Sequence, residues 1–249
     1  MATFTFTFDD GKSSQIRELY PILRKYGFPA TFYVVAGEIG FPGKLSIEEL
    51  RNLVKEGNEI GSHGFTHRSL LGLRDSQVED ELCKSQEVLR PFNAISFAYP
   101  FGRHDRRIVS KVAQYYDSAR AYGDAVRVNR SSLVDRYALE SFPVEGSFSG
   151  RVNSKAPEYL LSSDEVVESD AWLILTLHGR SSVNLGNIRT ILRRVNFTQE
   201  QRKAYLNSIR SSLLSSPPDI IGHLETFCGG LSLVNARVLT VSDALKQFL

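Results

Sequence analysis

From Ala2 to Phe8 the chain sets threonine and phenylalanine in strict alternation after the alanine, and two aspartates and a glycine then break the pattern. Alternation with period two, in residues that favour strands, predicts a β-strand whose C-terminal end carries both carboxylates into a turn. The period then changes, with Ile16, Leu19, Ile22, Leu23 and Tyr26 sharing one helix face before residues 30–35 read as the next strand. Ser46 and Glu49 form a capping box, Leu45 and Leu50 a hydrophobic staple, and Gly57 a C-terminal stop, which together delimit a second helix. Val78, Leu82, Val88 and Leu89 mark another helix, residues 95–98 a strand, and residues 108–113 the apolar side of a further helix. A continuous apolar run over 172–177 has the length and character of a central strand covered on both faces. Strands alternating with helices predict a parallel sheet, and the absence of repeats, low-complexity segments or a linker predicts one domain over residues 1–249.

Three of the predicted strands end in acid or imidazole groups. Asp9 and Asp10 follow the first; because neighbouring strand residues face opposite ways, the two can serve one site only if the chain bends there. His63 and His67 follow a short strand-like stretch at 58–62, and their four-residue spacing puts two imidazoles on one face of a helical turn. His178 follows the apolar run, and of the five histidines in the chain these are three. Two neutral imidazoles and a carboxylate suit zinc or a similar divalent ion, with positions left for water and substrate. A polar turn at Asp9-Asp10-Gly11 and a core histidine satisfied by a carbonyl at His178 are the alternatives. Chemical groups at successive strand ends favour catalysis and closure of the sheet into a barrel.

The order Thr7-Phe8-Asp9-Asp10, Ser62-His63-x-x-x-His67, Phe97-Ala98-Tyr99-Pro100-Phe101-Gly102 and Leu175-x-Leu177-His178 resembles the polysaccharide deacetylase family, also called carbohydrate esterase family 4 or the NodB-homology domain. Residues 238–245 resemble that family's last strand and helix. The resemblance implies a distorted α/β fold, a seven-stranded (β/α) barrel. It implies Asp9 as general base, Asp10, His63 and His67 as metal ligands, and His178 as general acid. It further implies that Leu175 and Leu177 line a pocket for the acetyl methyl group, and that Tyr99, Pro100 and Phe101 border the substrate, with the Phe101 N–H at the oxyanion. Two departures stand out. Ala98 occupies the position where many members have an arginine that orients the catalytic aspartate, leaving Arg120 or Arg103 as substitutes. No clear match exists for the aspartate that supports the acid histidine, for which Asp124, Asp135 and Asp164 are candidates.

Composition alters this picture little: 42% apolar and 23% charged residues are ordinary for a globular chain, and a net charge of +2 argues against nucleic acid as a partner. Arg189, Arg193 and Arg194 read as a solvated face, and residues 197–214, opening with Thr198 and Gln201, as a helix that walls the substrate cleft or stands clear of it. Cys83 and Cys228 make a disulfide framework unexpected. With no signal peptide or transmembrane run, the chain as written reads as cytoplasmic, or as secreted or envelope-associated if a leader has been removed. The expected activity is metal-dependent hydrolysis of an N-acetylated amino sugar or polysaccharide, with zinc first and cobalt or nickel as alternatives, and a carbohydrate as partner. A hydrolase of small amides or cyclic imides, and a carbohydrate-binding protein without turnover, are the rivals.

Overall fold

The structure is a computed structural model and describes residues 2–123, 128–143, 171–179, 220–233 and 235–249. The strands are β1 (Thr3–Phe8), β2 (Ala30–Val34), β3 (Glu59–Ser62), β4 (Ser96–Ala98), β5 (Ser118–Arg120), β6 (Asn129–Arg130), β7 (Ser141–Pro143), β8 (Ala171–Leu177) and β9 (Arg237–Val238). The helices are α1 (Tyr20–Lys25), α2 (Ile47–Lys55), α3 (Asp75–Leu89), α4 (Arg106–Val112), α5 (Ile220–Leu233) and α6 (Val241–Phe248). β1 to β5 pair in parallel in chain order, and on its other edge β1 pairs in parallel with β8, which pairs in parallel with β7. The ring closes where β5 meets the chain entering β7. Leu139 N–H donates to Ala119 (3.0 Å), Ala121 N–H to Leu139 (2.8 Å) and Gly123 N–H to Ser141 (3.1 Å).

Seven parallel strands thus form the expected distorted barrel. Two short strands pad one end of it: β6 runs antiparallel to the start of β8, and β9 parallel to the start of β1.

The strict alternation in β1 explains the two cores. Phe4, Phe6 and Phe8 point outward with Leu173, Leu175 and Leu177, where α1 and α5 cover them. Phe227 of α5 meets Phe4 and Phe6 edge-on at 6.3 and 6.1 Å, a favoured aromatic geometry. Thr5 and Thr7 point inward: Thr5 accepts a hydrogen bond from the Trp172 indole at 2.9 Å, and Thr7 lies 3.1 Å from the Thr176 hydroxyl. Gly61 of β3 also faces inward, and a Cβ there would stand 2.5 Å from the Tyr33 ring, so glycine is what lets that ring cross the barrel.

The C-terminal helix α6 plugs the barrel's lower end. Val241, Ala244, Leu245 and Phe248 pack with Tyr33, Trp172 and Ile174. Glu59 of β3 fastens it, accepting from the Ser242 N–H (2.9 Å) and hydroxyl (2.7 Å) at the helix N-terminus, where a carboxylate also complements the helix dipole.

The capping box at Ser46 and Glu49 forms as expected, and Gly57 takes φ of +85° just after α2. The face expected over 16–26 is interrupted: a wider π-type turn over Gln15–Leu19 precedes α1, because Pro21 has no N–H to continue the α pattern. Val88 lies off the packed face of α3 and is partly exposed. Cys83 is exposed, Cys228 buried, and neither is in a disulfide. The helix expected over 197–214 and Arg189, Arg193 and Arg194 lie outside the described residues. Among the described residues no helix is long and apolar enough to cross a membrane.

Trp172 joins the strand interior to the helical plug. Trp172→Ala should therefore cost about 3–5 kcal/mol of unfolding free energy, the range for large buried aromatics. A lowered urea midpoint at unchanged slope checks this.

Candidate metal centre and active site

Asp9 extends the β1 ladder by one residue, its N–H donating to Leu177 at 3.0 Å, and so keeps the inward direction. At Asp10 the backbone turns left-handed, with φ of +74°. This bend brings both carboxylates to the same end of the barrel. Asp10 Oδ1 faces His67 Nε2 at 3.4 Å and His63 Nε2 at 3.8 Å, while its Oδ2 pairs with Lys12 at 2.9 Å. Lys44 fixes the bend by donating to the Asp10 carbonyl at 3.0 Å. Burial opposes ionisation of Asp10, but His63 and Lys12 outweigh it and bring its pKa down to about 2.

His63 leaves β3 with its N–H on the Val34 carbonyl at 2.9 Å. Its Nδ1 lies 2.8 Å from the Ala98 carbonyl, which can only accept, so the proton sits on Nδ1 and the Nε2 lone pair is free to ligate. Burial lowers the His63 pKa to about 4 despite the aspartates nearby, so the ring is neutral at neutral pH. The expected helical turn between His63 and His67 is absent. The segment is a loop with left-handed backbone at Gly64 (φ +79°) and His67 (φ +59°), and that reversal, not helix periodicity, brings the two Nε2 atoms to 3.2 Å. Asp10, His63 and His67 present one donor atom each within a single small cluster. A divalent ion at about 2.1 Å from three such donors holds them roughly 3–3.5 Å apart, which the observed 3.2, 3.4 and 3.8 Å approach. The donors fit the ion.

Asp9 stays outside that cluster because another residue holds it. Arg120, on β5 directly across from Ala98 on β4, places Nη2 at 2.5 and 2.6 Å from the two Asp9 oxygens. Its Nη1 donates to the Ser141 hydroxyl at 2.8 Å, and its guanidinium lies 4.9 Å from the Tyr33 ring centre. Burial alone would raise the Asp9 pKa, but Arg120, then His63 and His178, bring it below the ordinary carboxylate value. Of the two substitutes for the missing arginine, Arg120 takes the position and Arg103 is exposed.

His178 Nε2 stands 3.7 Å from Asp9 Oδ2, and its ring meets Tyr122 edge-on at 5.8 Å. Gln15, fully buried, ties the two backbones together by donating to the carbonyls of Asp9 (2.5 Å) and His178 (3.2 Å). The sequence reading missed Gln15; its signal was an amide on the apolar side of an amphipathic segment. Asp135 does not support His178: it is exposed and accepts the Tyr137 N–H two residues on. Asp124 and Asp164 lie outside the described residues.

Phe101 sits at the mouth, 59% exposed, with left-handed backbone (φ +60°) and its ring 4.8 Å from that of His67. Pro100 is buried behind it, and Tyr99 points away from the site, its hydroxyl donating to the Tyr137 carbonyl at 2.9 Å and its ring stacked on His104. Leu175 and Leu177 correct the expectation of an acetyl pocket. They share the outward parity of the phenylalanines they pair with in β1 and are wholly enclosed in the outer core.

Residues 2–117 match the polysaccharide deacetylase family profile. Among curated proteins the chain is similar to YxkH of Bacillus subtilis, provisionally named a polysaccharide deacetylase, at 31% identity over 40% of this chain and 37% of that one. It is also similar to a peptidoglycan deacetylase of Helicobacter pylori, 26% over 51% of this chain and 45% of that one. A chitin deacetylase of Arthroderma benhamiae matches at 32% over 36% and 24%. The chain spans less than half the length of each of these relatives. Among solved structures, the Bc1960 peptidoglycan N-acetylglucosamine deacetylase superposes with a TM-score of 0.55 at 13% identity, over 97% of this chain and 87% of that one. A family 4 acetyl xylan esterase from Clostridium thermocellum gives 0.53 at 14%, over 98% and 91%. At that identity these two speak for the barrel fold alone.

Arg120→Ala would leave the buried Asp9 carboxylate without its counter-ion, at a cost of about 3–5 kcal/mol. The pH dependence should change with it. A carboxyl whose folded pKa is depressed stabilises the fold above its unfolded value and loses that contribution as pH falls through the folded value. Urea midpoints measured from pH 7 downward should fall less steeply in Arg120→Ala than in the wild type.

Proposed function

We propose that this chain, which belongs to the polysaccharide deacetylase family through residues 2–117, hydrolyses the N-acetyl group of an N-acetylated amino sugar or polysaccharide. The observation that carries this reading is one carboxylate kept apart from the metal cluster. Asp9 is clamped by Arg120, and its Oδ2 lies 3.9 Å from His63 Nε2 and 3.7 Å from His178 Nε2. The names of the relatives, which include deacetylases of peptidoglycan and chitin, support an amino-sugar substrate.

An amide is a poor electrophile with a poor leaving group, so its hydrolysis near neutral pH needs a polarised carbonyl, an activated water and a proton for the departing amine. Asp10, His63 and His67 would hold a divalent ion, zinc or in its place cobalt or nickel, which when bound supplies Lewis acidity and lowers the pKa of water. Asp9, ionised at neutral pH, takes the proton of the attacking water, and Arg120 keeps both its oxygens aimed while that happens. His178, 24% exposed and 3.7 Å from Asp9, delivers a proton to the amine nitrogen. The Phe101 N–H makes no hydrogen bond among the described residues, and as an oxyanion donor it would contribute about 3 kcal/mol to the transition state. A sugar-binding protein without turnover would suit a barrel whose Asp9 lacked an arginine, whereas here Arg120 holds Asp9, which favours the hydrolase.

Metal-stripped protein should release acetate from N-acetylglucosamine oligomers only when zinc or cobalt is restored. Asp9→Asn should lower turnover by roughly 100-fold or more, the scale of general-base catalysis, while zinc binding persists. His63→Ala should lose zinc binding. Full activity in Asp9→Asn would overturn the base assignment, and release from small amides but not from the oligomers would move the substrate to the rival class.

A further inference from the structure

We propose that Glu81 is a positioning residue that pre-forms the loop carrying His63 and His67, so that the metal donors stand in place before an ion arrives. The proposal rests on the metal-centre reading above.

Glu81 lies on α3, one layer outside the barrel, and is 6% exposed. Its Oε2 accepts the N–H groups of Phe65 (3.0 Å) and Thr66 (2.8 Å), and its Oε1 accepts the Thr66 hydroxyl. One helical turn on, the Ser85 hydroxyl lies 2.6 Å from that of Ser62, which in turn accepts the Gly64 N–H at 3.2 Å. Residues four apart share a helix face. On that face Val78, Leu82 and Leu89 are buried and apolar, so Glu81 and Ser85 form a polar latch set into a hydrophobic surface. Among the described residues no cation pairs with Glu81. A carboxylate withdrawn from water without a counter-ion is costly, and what offsets the cost here is three hydrogen bonds from one loop.

The loop's carbonyls are held from the other side. Gly64 and Phe65 accept the N–H groups of Ala36 (3.0 Å) and Gly37 (2.9 Å), which follow β2. The peptides between the two histidines are thus gripped on both edges, donors by α3 and acceptors by the β2 exit. That grip matters because the loop holds an unfavourable conformation. His67, a non-glycine residue, sits at φ of +59°, and such backbone persists only when its surroundings over-determine it. Successive N–H groups converging on an anion form a small nest. In this one the anion is supplied by the protein itself.

Zinc affinity of the metal-stripped chain, residues 1–249, measured against a chromophoric chelator at neutral pH, tests this without reference to turnover. Glu81→Ala should bind zinc about 10–100-fold more weakly, the range for residues that support metal ligands, with its far-UV circular dichroism unchanged at the temperature of measurement. Glu81→Gln should recover most of the affinity, because its amide oxygen can accept the two N–H groups and its amide nitrogen can donate to the Thr66 hydroxyl. In metal-free wild type the Phe65 and Thr66 amides should be protected from hydrogen exchange, and in Glu81→Ala that protection should be lost. Wild-type zinc affinity in Glu81→Ala, or unprotected amides in the metal-free wild type, would overturn the proposal and leave the metal centre standing. A wild type that binds no zinc would overturn the metal centre and this proposal with it. If Glu81→Ala does not fold, Thr66→Val, which removes only the exposed partner's hydroxyl, decides: roughly threefold or greater weakening supports the latch, and unchanged affinity overturns it.

Discussion

The buried pair between Arg120 and Asp9 is the interaction on which the rest of the site depends. It spans the lumen, joining β5 to the end of β1, two strands that are not neighbours in the sheet. Removing two charges from water is expensive, and the attraction between them repays it only with good geometry and with the remaining donors satisfied. The geometry is good, with two short contacts to the carboxylate, a third to the Ser141 hydroxyl and the face of Tyr33 beneath the guanidinium, while the buried Nε has no partner among the described residues. Tyr33 can lie there only because β3 passes it with a glycine, so the demand for one oriented carboxylate reaches back to Gly61. The same clamp holds Asp9 apart from the group formed by Asp10, His63 and His67. One aspartate faces the two imidazoles and its neighbour is held by the guanidinium, although the two are adjacent in the chain.

Much of this could be read from residues alone, and where it could not the reason is physical. The alternation in β1 gave the correct parity, with phenylalanines out and threonines in, because period two is set by the backbone and survives any packing. The all-apolar run of β8 hid its parity, so nothing in it distinguished outward Leu175 and Leu177 from inward Trp172 and Ile174. His63 and His67 do come together, but not for the reason their spacing gave. Spacing implied a helical turn, whereas the loop is shaped by positive φ and by tertiary bonds that no local pattern encodes. Gln15 and Glu81 escaped notice because a polar residue on an apolar helix face reads as a local irregularity until the partner, distant in sequence, is known. Arg120 was one of two candidates, and only the closure of the sheet separated it from Arg103.

The relation between Ala98 and Arg120 has a bearing on how such barrels are compared. The two are cross-strand partners, at equal depth on adjacent staves. Neighbouring strands are only about 4.8 Å apart, a step that a long, flexible arginine bridges with ease. An inward guanidinium can therefore be delivered to the same carboxylate from either stave. What the geometry requires in such a barrel is the place of a charge in the lumen. The stretch of chain that carries it is exchangeable, so a blank in a motif on one strand is answered by inspecting the same height on the next.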